Sequence, residues 1–519
     1  LKALLVTGQL AQQTVKQYAK QSATPTDVVA LNVQVAAFLT PKAISQALKS
    51  QNLKGIDVIL TPGQMPGDTK TITEVVGVPA FKGPRYAADL PVLLDCLDTV
   101  ELSTVIPACD LLREKLQAKA LAELEKVEQT QLSLLKKPGH LQVGELVIGK
   151  ELPMRVLAEI VDAPLLETAE IQRLAKRYVA SGANIIDVGM LAGQTRPQDA
   201  ERAVAAVKSA VKVPVSIDTL NPVEIKAAVK AGADLILSAD AGNIEALAAF
   251  ARDIPVVVIP SNQRRGIFPH KPELRVRMLE RLIKQAKQLG FSKVIGDLIL
   301  EPTHIVNSYV AFREFSFRNP EVPLLIGIAN VVELFDADSV GLNALLSRLS
   351  SEVNVDILLT TEKTPKVKGS VREVAVAAKM MYLVKRRDSV PRDLGLDLLV
   401  LKDKVEHESS YNIGKAKVVR AKKTLTPMKM DPRGVFRILV DRDTRALVAL
   451  YYTSNEAMEP SVAVRGADAN AVMAEILHLG LVSRLDHAAY LGAELAKAEV
   501  ALRIGRDYLQ DADVFNVCF

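Results

Sequence analysis

The sequence predicts an α/β protein built round a central (β/α)₈ barrel, and three observations carry that reading. Eight short apolar runs end in polar residues, each is followed by a helical pattern, and the eight units fill roughly the length such a barrel needs, about 250 residues. The predicted strands are Met154–Ile160, Asn184–Val188, Val213–Asp218, Asp234–Ser238, Ile254–Pro260, Lys293–Asp297, Pro323–Ala329 and Val355–Thr360. The helices between and after them are Glu167–Ser181, Gln198–Val211, Pro222–Ala231, Asn243–Arg252, Lys271–Leu289, Thr303–Phe317, Ser339–Ser350 and Ser370–Lys385. A doubly wound sheet is the alternative, but the regular units show no switch point.

Ahead of the barrel, residues 1–149 read as an α/β domain with a parallel sheet. Its strands are Leu4–Thr7, Asp27–Val33 and Asp57–Thr61, with a helix at Pro41–Lys49 between them. A charged helix over Cys109–Leu135 leaves this domain and stops at Pro138-Gly139-His140. The barrel is expected over 150–400, closed by Pro391-Arg392-Asp393-Leu394-Gly395. Residues 401–519 read as a small α+β domain. It has a hairpin of Phe436–Val440 and Ala446–Tyr452, then helices Asn470–Leu479 and Ser483–Gly505. A length of 519 residues fits three or four domains.

Composition narrows the function. Apolar residues make up 49% and charged residues 24%, the balance of a soluble globular chain. The 65 basic and 60 acidic residues leave only +5, and with no Trp and 4% aromatics a nucleic-acid partner is not expected. No apolar run is long enough for a membrane helix. The start, Leu1 to Gly8, is too short before its glycine for a secretory signal and reads as a buried strand. Cys96, Cys109 and Cys518 form no metal or disulfide pattern, which fits a reduced, cytoplasmic compartment.

A (β/α)₈ barrel works at the C-terminal ends of its strands. Those ends carry Glu159, Asp187, Asp218, Ser238 with Asp240, Asn262, Asp297, Asn330, and Thr360 to Lys363. Any one of these could simply cap the following helix. Asp187, Asp218, Asp297 and Asn330 together on one rim point instead to a ligand site. A carboxylate there can accept two parallel hydrogen bonds from an amino-pyrimidinone edge. Arg196, Arg264, Arg265, Lys363, Lys366 and Lys368 offer charge for a phosphate, or are solvated loop cations. Gly63 to Lys70 lacks phosphate-loop spacing, and His140, His270 and His304 have no ligand-spaced partners. Ser483 with Asp486 reads as a helix cap, so His487 is expected to be structural.

The segment Gly182-Ala183-Asn184-Ile185-Ile186-Asp187-Val188-Gly189, followed by Thr195-Arg196-Pro197, resembles the second-strand motif of dihydropteroate synthases. Pro214-Val215-Ser216-Ile217-Asp218-Thr219 and Ala231-Gly232-Ala233-Asp234 are similar to their third and fourth strands. With its two outer domains, marked by Phe81–Arg85 and Leu481–Tyr490, the whole chain resembles the archaeal-type dihydropteroate synthase-related proteins.

The resemblance implies pterin binding and condensation of hydroxymethyl-dihydropterin diphosphate with an arylamine, in cofactor synthesis of the tetrahydromethanopterin or folate type. The arylamine it implies is a ribofuranosyl-aminobenzene phosphate. By resemblance, Asp218 and Asp297 hold the pterin edge; they and Lys363 are the candidate catalytic residues, and Asp187, Ser238, Asn262 and Asn330 of the rim are candidate substrate-binding residues. Thr195 and Arg196 line the diphosphate or arylamine side, with Arg264, Arg265 and Lys363 as further cations. Magnesium would assist the diphosphate; its ligands stay open, with Glu159 the candidate at the rim, and a homodimer is the expected assembly.

Some positions depart from the bacterial pattern. Ala158-Glu159-Ile160 replaces the first-strand asparagine, Ser238 the fourth-strand asparagine, Gly327-Ile328-Ala329-Asn330 the Ser-Arg-Lys, and Thr360–Lys363 the Arg-His pair. Asn330 resembles the pterin-side asparagine of pterin-dependent corrinoid methyltransferases. That activity, or a non-catalytic pterin-binding scaffold, is the alternative.

Overall fold

The computed structural model describes residues 1–402, 415–421 and 429–515, apart from the side chains of 113 and 114. Cys518 lies outside the described residues. The chain forms two compact units. One comprises Leu1–Val331, Val340–Thr360 and Val371–Leu398; the other comprises Val332–Ser339, Thr361–Ser370 and Leu399–Phe519.

The first unit opens with a parallel sheet of β1 (Ala3–Thr7), β2 (Thr26–Ala30), β3 (Val58–Thr61) and β4 (Ala80–Lys82), in the order β2-β1-β3-β4. Leu4, Val6 and Ile59 pack on one face and Ala3, Leu5 and Leu60 on the other, as expected of strands covered on both sides. The predicted helix Pro41–Lys49 is present, with Thr40 accepting the Ala43 N–H as its cap. The long helix expected over Cys109–Leu135 is broken into Ala108–Leu111, Arg113–Gln129 and a 3₁₀ segment Gln131–Lys136. A hairpin not foreseen, β5 (Leu141–Val143) with β6 (Leu146–Ile148), follows Pro138-Gly139-His140.

The barrel strands are β7 (Arg155–Ile160), β8 (Ile185–Gly189), β9 (Val215–Asp218), β10 (Leu235–Ala239), β11 (Val256–Val258), β12 (Val294–Gly296), β13 (Leu325–Gly327) and β14 (Ile357–Thr361). They form one eight-stranded sheet in the order β12-β11-β10-β9-β8-β7-β14-β13, and a parallel bridge from Gly296 to Leu324 joins its two edges. Leu157, Ile185, Leu235, Leu237, Val257, Ile295, Leu325 and Ile357 fill the interior. Leu141, Val143 and Ile148 of the hairpin join that cluster, and Gly144 abuts Pro214, so the hairpin seals the N-terminal end. Ile186, Val188, Val215 and Ile217 point outward against the helices.

Two barrel elements are shorter than predicted. The helix expected over Asn243–Arg252 is only Ile244–Leu247 before the chain turns. The seventh strand ends at Gly327, so that Asn330 sits in a helical turn, Ala329–Val332.

The second unit holds an antiparallel sheet of β15 (Val435–Asp441), β16 (Ala446–Tyr452) and β17 (Val462–Gly466), with helices Ala469–His478 and Leu485–Ile504. The hairpin turns through Asp441–Arg445 as expected; β17 is additional. The last helix is not capped by Ser483 and Asp486. Asp431 instead anchors the segment that leads into it, accepting the Ser483 and Arg484 N–H groups, the Ser483 hydroxyl at 2.6 Å and His487 Nδ1 at 3.1 Å. His487 is thus buried in a structural network against the Phe436 ring.

Candidate functional site

Alternation along the strands builds the site. Side chains two apart share a face, so the residues two beyond the interior Leu157, Ile185 and Ile295 also point inward. These are Glu159, Asp187 and Asp297. Asp218 joins them from β9, two beyond Ser216, whose hydroxyl donates to Asp187 Oδ1 at 2.5 Å. The barrel core is therefore apolar below and acidic at its C-terminal mouth.

Carboxylate oxygens of Glu159, Asp187 and Asp218 all lie within 4.8 Å of one another. Glu159 reaches this place by lying over Gly189, where a Cβ would collide with its carboxylate. Asp187 is fully buried, and its Oδ2 has no hydrogen-bond partner among the described residues. Burial, then the charges of Asp218 and Glu159, raise the Asp187 pKa well above the ordinary carboxylate range. Burial pushes Asp218 up to about 6. It pushes Asp297 up to about 7, aided by Asp218 and opposed by the Ile299 N–H at 2.7 Å and by Arg275.

The remaining predicted residues surround this mouth unevenly. Ser238 is the penultimate residue of β10, and its carbonyl accepts the Asn243 side-chain amide. Asn262 is occupied in its own turn, where its side chain accepts the Arg265 N–H. Arg264 and Arg265 are exposed on that turn. Asn330 is exposed and donates to the Leu300 carbonyl at 3.3 Å, which ties the seventh strand end to the loop after the sixth. Thr195 is exposed and accepts from Asn221 at 2.8 Å; the Arg196 guanidinium contacts Gln194 and Asp199. Lys363 belongs to the second unit, where Glu333 feels its charge and that of Lys366.

The supporting roles of three residues escaped sequence reasoning. Glu224 is buried and accepts both the Arg196 N–H at 2.8 Å and the Thr219 hydroxyl at 2.5 Å, fixing the 190–196 loop. Its signal was present: Asn221-Pro222-Val223-Glu224 has the spacing of a capping box. Asp240, taken for a rim group, binds the Ser261 hydroxyl and the Gly242 and Gln263 amides. Arg275 is fully buried and donates to the Pro269, Leu298 and Ile299 carbonyls and to Ser308. No pattern in the sequence marks an arginine used in this way.

No helix among the described residues is long and apolar enough to cross a membrane. Comparison with known proteins gives three family matches. Residues 162–341 match the family described as "Pterin binding enzyme", 430–511 match PterinBD-DUF4346, and 2–85 match a family of unknown function, DUF6513. Among solved structures, a Yersinia pestis DHPS with a pterine-sulfa conjugate is 19% identical with a TM-score of 0.39, covering 48% of this chain and 99% of that one. A Xanthomonas albilineans dihydropteroate synthase in complex with 7,8-dihydropteroate is 18% identical with a TM-score of 0.39, covering 48% and 98%. The uncharacterized protein MJ0107 of Methanocaldococcus jannaschii is 38% identical over 530 residues, 99% of each chain. The chain belongs to one family with that protein, and its barrel to the pterin-binding superfamily.

Proposed function

We propose that this protein is a pterin-binding transferase that joins hydroxymethyl-dihydropterin diphosphate to an arylamine. The observation that supports it most is the acidic mouth, where Asp218 and Asp297 stand close enough to feel each other's charge. A pterin edge offers an exocyclic amine and a ring N–H side by side, and donors of this kind favour the ionised carboxylate. Asp297 takes that edge, with Asp187, Ser238, Asn262 and Asn330 in the surrounding wall. The arylamine nitrogen attacks the pterin methylene carbon, the carbon–oxygen bond to diphosphate breaks, and the amine proton is released. Thr195 and Arg196 line the departing diphosphate, with Arg264 and Arg265 as further cations. A ribofuranosyl-aminobenzene phosphate is the arylamine we favour, in tetrahydromethanopterin-type synthesis.

The donor set at Glu159, Asp187 and Asp218 fits a magnesium ion. It is all oxygen, as a hard cation requires, and the unpartnered Asp187 Oδ2 is a free ligand atom among the described residues. Bound there, magnesium supplies charge neutralisation for the diphosphate. We also propose domain limits at 1–149, 150–400 and 401–519, and a homodimeric assembly.

Asn330 favours a second reading, a pterin-dependent methyl transfer to a corrinoid protein, because it stands where the bacterial synthases carry Ser-Arg-Lys. Incubation with dihydropterin diphosphate, magnesium and the arylamine tests the first reading by diphosphate release. Release that depends on the arylamine supports it. Absence of release, with methyl transfer from a methylated pterin to a corrinoid protein, replaces it with the second.

A further inference from the structure

Three side chains from two loops meet on the rim outside the acidic mouth. His270 lies in the loop after β11, and Glu301 and His304 follow β12, in the loop that Asp297 begins. Both imidazoles bring Nδ1 near one oxygen, Glu301 Oε2, at 3.2 Å for His270 and 3.4 Å for His304, whose Nδ1 also stands 3.0 Å from the Thr303 hydroxyl. The other oxygen, Oε1, is held by the fully buried Arg275. Arg275 also grips the backbone of both loops, at Pro269 and at Leu298 and Ile299. The carboxylate is therefore fixed in place. The imidazoles are not, with side-chain exposures of 70% for His270 and 52% for His304.

We propose that His270, Glu301 and His304 form a site for a divalent transition ion of the zinc or cobalt class. Two imidazoles and a carboxylate with an open fourth position make a common donor set for such ions. Bonds of about 2.0–2.1 Å in a tetrahedron place neighbouring ligand atoms about 3.3 Å apart, which both measured edges match. The third edge must close: the rings stand 6.3 Å apart, centre to centre, at 47°. Two imidazoles on one tetrahedral ion bring their centres to about 5 Å, a change that rotation of exposed side chains supplies. Arg275 completes the arrangement as the outer partner that orients the ligating carboxylate. Nitrogen donors separate this site from the all-oxygen set at Glu159, Asp187 and Asp218, which suits a hard cation. The open position faces the rim and suits water or an oxygen of an anionic ligand.

The test is a titration of the full chain, stripped with chelator, with cobalt chloride, read by the visible absorption of low-coordinate cobalt. We expect one ion per chain at micromolar concentration, undisturbed by excess magnesium. His304→Ala and His270→Gln should each weaken binding at least about tenfold, and the double variant should lose the band. His270→Gln can still donate to Glu301, which protects the fold, and thermal melts confirm folding of each variant. His478→Ala, on an exposed helix face of the other unit, should bind as the parent does. Undiminished binding in the folded double variant, displacement by magnesium, or absorption appearing only at millimolar cobalt would each overturn the site. None of these outcomes depends on pterin binding.

Discussion

The Ser216 hydroxyl donates to Asp187 Oδ1 over 2.5 Å, and Asp187 Oδ2, equally enclosed, has no protein partner among the described residues. A buried carboxylate satisfied on one side only is costly unless a proton or cation takes the other. Glu159 and Asp218, within 4.8 Å, make a cation the better complement.

Gly189 offers the cleanest way to test that complement. Its missing side chain is what lets Glu159 lie across β8, so Gly189→Ala should push the Glu159 carboxylate off the triad. Overpacking of this kind costs about 1–3 kcal/mol, which the barrel should survive. Magnesium affinity by calorimetry should fall at least about tenfold, and Glu159→Gln should reproduce the loss without the steric clash. Full affinity in both variants would take the ion away from these carboxylates.

Asp356 governs a pH dependence of stability at the opposite end of the barrel. It is buried at the entry to β14, accepts the Leu324 N–H at 2.9 Å, and burial pushes its pKa up to about 7. In the unfolded chain a carboxyl titrates near 3.9. The fold therefore prefers the protonated form. Its contribution is complete below the unfolded pKa and is lost as pH rises through about 7. A shift of that size corresponds to at most about 4 kcal/mol. Asp356→Asn cannot ionise, so its melting temperature should fall less than the parent's between about pH 5 and pH 8. Parallel curves for the two proteins would assign the pH dependence elsewhere.

Much of this architecture was legible because strands buried on both faces must read as apolar runs, and those from Arg155–Ile160 to Ile357–Thr361 do. The acidic mouth was legible for the same reason: a carboxylate closing an apolar run needs a purpose. What stayed hidden depends on contacts between distant segments. His270 and His304 have no ligand spacing in sequence and meet only because Arg275 draws two loops together. Asp240 looks like a rim ligand in sequence, yet it serves backbone amides of its own loop and of the next one, at Gly242 and Gln263. The hairpin Leu141–Val143 and Leu146–Ile148 is too short to stand out from its connector.

Glu224 should act on the Thr195–Arg196 loop without touching the carboxylate mouth. Glu224→Ala leaves the Arg196 N–H and Thr219 hydroxyl without their acceptor, at a cost of about 1–3 kcal/mol. Hydrogen exchange at the Arg196 amide should then speed up at least about tenfold, while Glu224→Gln, which keeps an acceptor oxygen, should restore much of the protection. Equal protection in the alanine variant would mean that the loop is held by Asn221 and Thr195 instead.

Asp297 is the residue on which pterin recognition turns. At about 7 its pKa leaves the free protein half protonated near neutrality, whereas a pterin edge with two donors needs the carboxylate. Binding should therefore expel a proton, and affinity should rise with pH through about 7 before levelling off. Asp297→Asn abolishes that dependence and sets a donor against a donor. Hydrogen bonds to a charged group are worth about 1.5–3 kcal/mol each, so affinity at about pH 8 should drop roughly tenfold to a hundredfold. Asn330→Ala should cost less, since its amide is neutral and already engaged with the Leu300 carbonyl. Calorimetry with a dihydropterin, in two buffers of different ionisation enthalpy, reads affinity and proton release together. Unchanged affinity in a folded Asp297→Asn protein would remove the pterin from this mouth, and the condensation with it.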